Sequence, residues 1–502
     1  MQDDLNLSMF RAYDIRTPAV RLPTLLARRL ADAEALYFRE IVDTDSVLVA
    51  HDARLTGPGY LTIAAEAYRA AGLDVLYLPG VSSTPYFYYA AMRHPRAAGV
   101  FLGASHNPAG DTGRKIVGPG VQPIAEGIGV AGGLLEIQQL YQQGRSHRSS
   151  TQGRVRSIDL LADYIDASMW LADVSPGGLK GVRILQDYVF GAAGREMMLG
   201  FARTGADLTP VHFTADGRFP LGDPNPVKPD VIRPGLEQLA AGDFDLACFF
   251  DGDGDRIDFY DGDGSYLSSS FVYAALLPEI LQHFPGDDWK VFADLKSNPL
   301  AVIQMAQAGV TVDVVRNGHS QIKQALLDES KRLGAVEESA HFYQAFFADG
   351  QRYCTENTLY VALLAARVWR EDRPRIQRLL EIQRMTVRER EWGYKFPTDG
   401  QRSEALQAVR EFFESQGFRS MSRMKNGMEL AATLLRRGLP FDVNTQTQLA
   451  NDWLQICQRV SQSEDGLARW EVVGANRELV QSARREIERL TAPFGRGPEY
   501  LG

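Results

Sequence analysis

Residues 47–103 read VLVAHDARLTGPGYLTIAAEAYRAAGLDVLYLPGVSSTPYFYYAAMRHPRAAGVFLG and alternate short apolar runs with segments of helical pattern. The predicted elements are, in order, a strand Val47–Ala50, a helix Tyr60–Ala71, a strand Val75–Leu78, a helix Pro85–Met92 and a strand Gly99–Leu102. Continuous apolar strands joined by helices are typical of a parallel α/β sheet. Ligands of such sheets bind beyond the carboxyl ends of the strands, so the residues after Leu102 are a favoured place for chemistry.

The same alternation restarts twice further along the chain. The elements predicted there are a strand Val182–Leu185, a helix Gly191–Arg203, a strand Leu246–Phe250, a strand Lys290–Ala293, a helix Pro299–Ala308, a strand Thr311–Val315 and a helix Ser320–Leu333. Beyond Pro374 the alternation is lost, and a strand Trp470–Val473 precedes a helix Arg477–Leu490. The sequence therefore predicts an α/β fold of three similar α/β domains with mixed or parallel sheets, plus a smaller C-terminal α+β domain.

Length and composition exclude several classes of protein. A chain of 502 residues is too long for one hydrophobic core. The net charge of −9 argues against a nucleic-acid partner. No segment approaches the roughly 20 apolar residues of a spanning helix, and the start Met-Gln-Asp-Asp lacks the basic residues of a secretory signal. Three cysteines far apart suit a reducing compartment, so we expect a cytoplasmic protein with no membrane partner.

The first segment that carries chemistry is Gly-Ala-Ser-His-Asn-Pro, residues 103–108. Ser105 follows a strand end, and Pro108 biases Asn107 away from a helix, which favours an extended loop around the serine. His106 and Lys115 can supply positive charge and proton transfer beside the hydroxyl. There is no Gly-x-Ser-x-Gly elbow, so a hydrolase triad is not indicated. An ordinary polar turn near a basic residue is the alternative interpretation.

The second segment is Asp-Gly-Asp-Gly-Asp-Arg, residues 251–256, directly after a predicted strand. Three carboxylates at alternate positions would repel one another, so a hard cation is their natural partner. An EF-hand loop needs Gly at its sixth place and Glu at its twelfth, and Arg256 and Gly262 stand there instead. A solvated acidic turn is the remaining alternative. Residues 261–264 look similar but lack the third carboxylate, which predicts a plain hairpin turn.

Three weaker segments follow. Residues 336–341, Val-Glu-Glu-Ser-Ala-His, lie after a predicted strand and ahead of an expected helix, and combine groups that can hydrogen-bond sugar hydroxyls. Residues 317–320 suggest a helix start with Ser320 as N-cap. Residues 459–466 place Arg459 beside alternating hydroxyls, which can bind a phosphate monoester. Taken alone, residues 336–341 and 459–466 are better explained as polar surface loops.

Taken in order, these segments resemble the α-D-phosphohexomutase family, most of all its phosphomannomutase/phosphoglucomutase branch. The resemblance rests on Phe10–Arg16 as the N-terminal active-site segment, Ser105–Pro108 as the phosphoserine loop, Asp251–Arg256 as the metal loop, Glu337–His341 as the sugar-recognition loop and Arg459–Glu464 as the phosphate loop. The chain departs from the family pattern at Thr17, Thr112, Val336, Ala340, Ser463 and Asp465. None of these changes removes a reacting group.

The resemblance implies four domains around one central cleft, which we expect at residues 1–153, 154–262, 263–378 and 379–502. It implies Mg²⁺ held by phospho-Ser105, Asp251, Asp253 and Asp255. It implies that Ser105, Lys115, Arg16 and His106 are catalytic. The substrate-binding residues that it implies are Tyr13, Arg256, Lys296, Gly318, His319, Glu337, Ser339, His341, Arg459, Ser461, Gln462 and Ser463.

The expected activity is that of a phosphohexomutase, which interconverts hexose 1-phosphate and hexose 6-phosphate of mannose or glucose. Ser105 would carry the phosphoryl group, and glucose 1,6-bisphosphate or its mannose analogue would be intermediate and activator. Three alternatives stay open: a phosphoglucosamine mutase, a sugar bisphosphate synthase with the same serine chemistry, and a catalytically silent sugar-phosphate-binding paralogue.

Overall fold

The structure is a computed structural model that describes residues 5–284, 286–440, 442–444, 448–461 and 466–501. Its strands are β1 Ile15–Pro18, β2 Ser46–His51, β3 Asp74–Val81, β4 Ala98–Leu102, β5 Asp111–Gly118, β6 Gln122–Ile124, β7 Val155–Ser157, β8 Arg183–Asp187, β9 Asp207–Val211, β10 Leu246–Phe250, β11 Ile257–Asp261, β12 Tyr266–Leu267, β13 Lys290–Asp294, β14 Thr311–Val315, β15 Arg332–Glu337, β16 His341–Ala348, β17 Gln351–Glu356, β18 Val387–Lys395, β19 Arg419–Arg423, β20 Glu429–Arg437, β21 Leu454–Val460, β22 Leu467–Gly474 and β23 Glu499–Leu501.

Its helices are α1 Thr24–Leu36, α2 Gly57–Ala70, α3 Thr84–Arg93, α4 Leu134–Gln143, α5 Leu161–Leu171, α6 Gly194–Thr204, α7 Pro229–Ala241, α8 Ser269–His283, α9 Pro299–Gln307, α10 His319–Asp328, α11 Thr358–Glu371, α12 Arg373–Arg384, α13 Asp399–Ser415 and α14 Arg477–Thr491. Among the described helices, none combines the length and the apolar character needed to cross a bilayer. The predicted mixed α/β fold with several sheets is confirmed.

The chain divides into two compact units that interleave in sequence. The first holds the residues up to Ser268 together with Gly318–Ser330 and Ser339–Arg373, and the second holds Ser269–Asn317, Lys331–Glu338 and the residues from Pro374 onward. The chain therefore passes between units at five points, after residues 268, 317, 330, 338 and 373. The four-domain boundaries expected from sequence remain a prediction.

Two mixed sheets organise the first unit. One has the strand order β1-β5-β4-β2-β3-β7, with β4, β2, β3 and β7 parallel, and the other has the order β12-β11-β10-β8-β9, with β10, β8 and β9 parallel. All five residues of β4 and all five of β10 are buried, which explains why both strands are continuously apolar. Their carboxyl ends carry the serine segment and the three-aspartate segment, respectively.

The second unit contains a parallel three-strand arrangement and an antiparallel sheet. Strands β14 and β15 both run parallel to β13. The antiparallel sheet has the order β19-β20-β21-β22-β18-β23. Its core packs Trp392 and Trp470 with apolar side chains of α13 and α14, such as Phe413 and Ile487. This sheet accounts for the loss of strand–helix alternation beyond Pro374.

Three local predictions are wrong. The helix expected at Ser320–Leu333 ends at Asp328, because Glu329 is extended and the buried apolar run from Leu333 continues as β15. The segment 336–341 precedes the strand β16 instead of a helix, since the aromatic-rich run that follows favours a strand. Ser320 is not an N-cap. Gly318 takes that place with a φ of 117°, a conformation that requires glycine, and the Ser320 hydroxyl donates to the carbonyl of Tyr13 at 3.2 Å.

Candidate active site

Ser105 lies three residues past the end of β4, in a backbone conformation that residues other than glycine rarely adopt. Its φ is 49°, in the left-handed region, and the residue is 1% exposed. The Ser105 Oγ donates to Asp251 Oδ2 at 2.6 Å and lies 3.3 Å from His106 Nδ1. A left-handed non-glycine residue costs roughly 1–3 kcal/mol and persists only where its surroundings hold it. The structure thus directs this hydroxyl at the acidic loop at a conformational cost.

Arg54 and Asp52 hold the serine loop in place. The Arg54 guanidinium is buried and donates to the carbonyls of Ser105 at 2.9 Å and Asn107 at 2.7 Å, and also to those of Pro108 and Asp111. Asp52 pairs with Arg54 at 3.1 Å and accepts from the Ala104 N–H at 3.2 Å. Sequence reasoning missed both residues. Their position just after β2, at the same sheet edge as Ser105, is the signal that could have found them.

Asp251, Asp253 and Asp255 follow β10 in a tight loop and are all buried, with ligand oxygens within 4.8 Å of one another. A Cβ on Gly252 would lie 2.6 Å from the Ser105 carbonyl, so only glycine lets the two loops approach. Burial and the carboxylates of Asp253 and Asp255 raise the pKa of Asp251 well above its usual value. Within the described chain, Asp253 Oδ1 and Asp255 Oδ1 have no hydrogen-bond partner. Hard oxygen ligands with unmet acceptor capacity fit a divalent cation such as Mg²⁺.

Lys115 supplies the cation that lies against this loop. It is buried on β5, with Nζ 2.6 Å from Asp253 Oδ2 and also in contact with Asp255. Burial alone would lower the pKa of Lys115, but the two carboxylates raise it above its usual value. Thr84 donates a further hydrogen bond to Asp253 Oδ2 at 2.8 Å. Lys115 therefore stays charged beside the serine and the acidic loop.

The N-terminal segment brings Tyr13, Arg16 and His319 together around Asp14. Arg16 donates to Asp14 at 2.6 Å and to the Asn107 side chain at 2.8 Å, which links this segment to the serine loop. The ring of His319 lies edge-on to Tyr13, with centroids 5.2 Å apart, and its Nε2 is 4.0 Å from Asp14. Burial lowers the pKa of His319 to about 4 against the opposing pull of Asp14, so the ring is neutral at neutral pH.

His341 and Arg256 form the last group of the first unit. Arg256 donates to His341 Nε2 at 3.1 Å, while His341 Nδ1 lies 3.8 Å from Asp255 and 3.9 Å from Glu356.

Burial, followed by the charges of Arg256 and Arg16, lowers the pKa of His106 well below its usual value. His106 is therefore a neutral imidazole beside the serine hydroxyl. Ser339 lies half-buried in the turn before β16.

The second unit holds the remaining predicted residues that the structure describes. Glu337 accepts from Asn317 at 3.1 Å, and Ser461 is buried at the end of β21. Arg459 is engaged by Glu391, which the sequence did not indicate. Arg388 pairs with Glu338 at 2.6 Å and donates to the carbonyl of Lys296. Gln462 and Ser463 lie outside the described residues.

Comparison with known proteins identifies related sequences and structures. The profiles described as phosphoglucomutase/phosphomannomutase, alpha/beta/alpha domain I and domain II match residues 7–127 and 162–264. A phosphomannomutase of Salmonella montevideo is 31% identical over 369 residues, which cover 72% of this chain and 77% of that protein.

Solved structures extend the likeness to nearly the whole chain. A phosphoglucomutase/phosphomannomutase family protein of Burkholderia thailandensis has a TM-score of 0.77 at 22% identity and covers 98% of this chain and 99% of its own. An N-acetylphosphoglucosamine mutase of Aspergillus fumigatus, in complex with GlcNAc-6P and magnesium, has a TM-score of 0.58 at 11% identity. The match covers 98% of this chain and 97% of that protein.

A mixed α/β fold shared over this length, with a serine facing a three-aspartate loop, defines a mutase enzyme of the phosphohexomutase class. Within that class, the chain belongs to the phosphoglucomutase/phosphomannomutase family.

Proposed function

We propose that this enzyme interconverts hexose 1-phosphate and hexose 6-phosphate through a phosphorylated Ser105. The observation that carries the proposal is the 2.6 Å contact of Ser105 Oγ with Asp251, inside a buried cluster of three aspartates and Lys115. Asp251, Asp253, Asp255 and the phosphate on Ser105 would hold Mg²⁺, which supplies charge neutralisation during phosphoryl transfer. The magnesium complex of the Aspergillus relative supports this choice of metal.

Different residues of this chain would have different roles in the phosphoryl transfer. Phospho-Ser105 gives its phosphoryl group to the free hydroxyl of a sugar monophosphate, which forms a 1,6-bisphosphate, and the other phosphate of that intermediate then returns to Ser105. Lys115 and Arg16 stabilise negative charge on the transferring group. His106 is neutral and 3.3 Å from the serine oxygen, which suits it to take or return the proton. Added glucose 1,6-bisphosphate, or its mannose analogue, would restore the phosphoserine after its loss.

We propose mannose and glucose phosphates as the substrates. Glu337 and Ser339 would bind the C3 and C4 hydroxyls, which the two sugars share in configuration, so discrimination at C2 is weak. Arg459, Lys296 and Ser461 would bind the non-reacting phosphate. A second carboxylate at Glu338 could favour the amino group of a glucosamine phosphate. Arg388 already neutralises Glu338 at 2.6 Å, and this pairing disfavours the glucosamine substrate.

Ser105→Ala tests the phosphoryl carrier. The variant should lose turnover while keeping its fold, because no hydroxyl remains to accept the phosphoryl group. The wild type should carry roughly 80 Da more than its sequence mass from one phosphoryl group, and Ser105→Ala should not. Substantial mutase activity in a folded Ser105→Ala protein would overturn the mechanism.

A panel of mannose, glucose and glucosamine 1-phosphates tests the substrate. On one enzyme preparation, kcat/KM should be comparable for mannose and glucose and much lower for glucosamine. A clear preference for glucosamine 1-phosphate would instead identify a phosphoglucosamine mutase.

A further inference from the structure

Two arginines of the second unit converge on the single carboxylate of Glu391. Arg459 binds it with both arms of its guanidinium, at 2.8 Å from Nε and 2.9 Å from Nη2. Arg469 adds a third bond at 3.0 Å from Nη1. Arg459 and Arg469 are directly opposite each other on β21 and β22. Like charges at opposed positions destabilise a sheet, so this pair requires an anion between them.

The strand that carries Glu391 is irregular at this residue. The pairing of β18 with β22 shifts register between Glu389 and Trp392. Such bulges redirect side chains and interrupt the ladder. Glu391 therefore reaches the arginine pair from a break in the sheet.

The charges around Glu391 favour its ionised form. Burial alone would lower the pKa of Lys296, but Glu391 and then Glu471 raise it above its usual value. Against the effect of burial, Lys296, Arg459 and Arg469 hold the pKa of Glu391 far below its usual range. The side chains of Glu391, Arg459 and Arg469 are 14%, 17% and 11% exposed, so a ligand from solution can reach them.

In the phosphate seat proposed above for Arg459, we propose that Arg469 is a second arginine and that Glu391 is a resident carboxylate that the phosphate must displace. This inference rests on the proposed function for Arg459 and adds Arg469 and Glu391 to it. The guanidinium fork binds carboxylate and phosphate with the same geometry. A phosphate dianion carries more charge than one carboxylate and has more acceptor oxygens, so it can replace Glu391. Glu391 then sets how tightly the seat holds its ligand.

Binding of inorganic phosphate to the intact enzyme tests this role without turnover. Glu391→Gln should bind phosphate about tenfold more tightly in calorimetry, because the amide is a weaker competitor for the arginines. The KM for glucose 1-phosphate should fall in the same direction. Glu389→Gln is the matched control, since Glu389 lies on the same strand but pairs with Arg484. It should bind phosphate as the wild type does.

A double variant assigns the effect to this seat. In an Arg459→Ala background, Glu391→Gln should no longer change phosphate affinity. Glu391→Asp, which keeps the charge on a shorter side chain, gives a second measurement should Glu391→Gln fold poorly, and it should fall between the wild type and Glu391→Gln. Unchanged or weaker phosphate binding in Glu391→Gln, or no phosphate binding in any of these proteins, contradicts the inference. Tighter binding in an enzyme without mutase activity would retain the inference and reject the proposed reaction.

Discussion

At the scale of single residues, the proposed reacting groups are readable from short sequence motifs, whereas Arg54, which holds the serine loop, could be found only from its place at a strand end. Ser105, Lys115 and the three aspartates each belong to a short local motif. Arg54 and Glu391 belong to none, because the serine-loop carbonyls that Arg54 binds and the arginines that Glu391 binds lie 51 to 78 residues away in the chain. Single-sequence patterns contain only near neighbours, and contacts at such separations arise from the topology of the sheets.

A carboxylate substitution tests the metal site at this scale. Asp253→Asn should cut the magnesium-dependent rate by orders of magnitude, because it removes one of three charges that would hold the cation. The measurement is turnover against Mg²⁺ concentration, with the wild type assayed after chelation and after metal is restored. Asp263→Asn, in the exposed Asp-Gly turn after β11, is the control and should behave as the wild type. Full activity in metal-free wild type would make the loop structural only.

At the scale of elements, Ala340 is a position where a departure from the family's sequence pattern lowers stability. Ala340 is one of the positions where the sequence departs from the family pattern, and the structure gives it a φ of 72° in the turn before β16. A methyl group in this region of φ is strained, whereas glycine is not. Ala340→Gly should therefore raise the free energy of unfolding by about 0.5–1 kcal/mol, net of the extra freedom that glycine gives the unfolded chain. Thermal unfolding measures it. A lower midpoint would contradict the assignment of strain.

The contact between α6 and the start of α3 predicts a pH-dependent stability. Glu196 accepts from the Ser83 N–H at 2.9 Å, and burial raises the pKa of its carboxyl to about 7. The folded state thus holds this proton more tightly than the unfolded state does. The stabilisation is complete below about pH 4.5 and is lost as pH rises through about 7.

Replacing the carboxyl by an amide removes this dependence. Glu196→Gln should be more stable than the wild type at about pH 8, by about 3 kcal/mol, and equal to it at about pH 4.5. Thermal midpoints at the two pH values measure the difference. Glu66→Gln, exposed on α2, should show no such change. A variant that is no more stable at the higher pH would show that Glu196 is ionised in the folded protein.

At the scale of the whole molecule, a chain of net charge −9 must bind the anionic substrates that we propose through local cations. The charge of the protein as a whole therefore does not attract the substrate, and binding depends on the few arginines and lysines of the sites. Strands β2, β4 and β10 were predictable because each is a nearly continuous apolar run. The order of the six antiparallel strands in the second unit was not, because their pairing depends on contacts between distant segments.

Ligand linkage tests the whole arrangement. A ligand that binds only the folded enzyme stabilises it by about 2.7 kcal/mol at a hundredfold excess over Kd. Mg²⁺ with glucose 1-phosphate should accordingly raise the thermal midpoint of Ser105→Ala, which binds without turning over. Mg²⁺ and glucose 1-phosphate should raise the thermal midpoint of Asp253→Asn by less. An equal rise in both variants would place ligand binding away from the three-aspartate loop.

The interleaving of the two units has a consequence for how the protein is made. The first unit includes residues up to Arg373, so it cannot be completed when its first 268 residues leave the ribosome. The intervening 105 residues (373 − 268) take about 5–20 s to synthesise at cellular rates of translation. During that interval the nascent chain contains β4 and β10, the strands that lead to Ser105 and Asp251, but lacks α10, α11 and the β16–β17 hairpin. A chain that stalls in this window would display unfinished apolar surface, and we expect chaperones to bind it there.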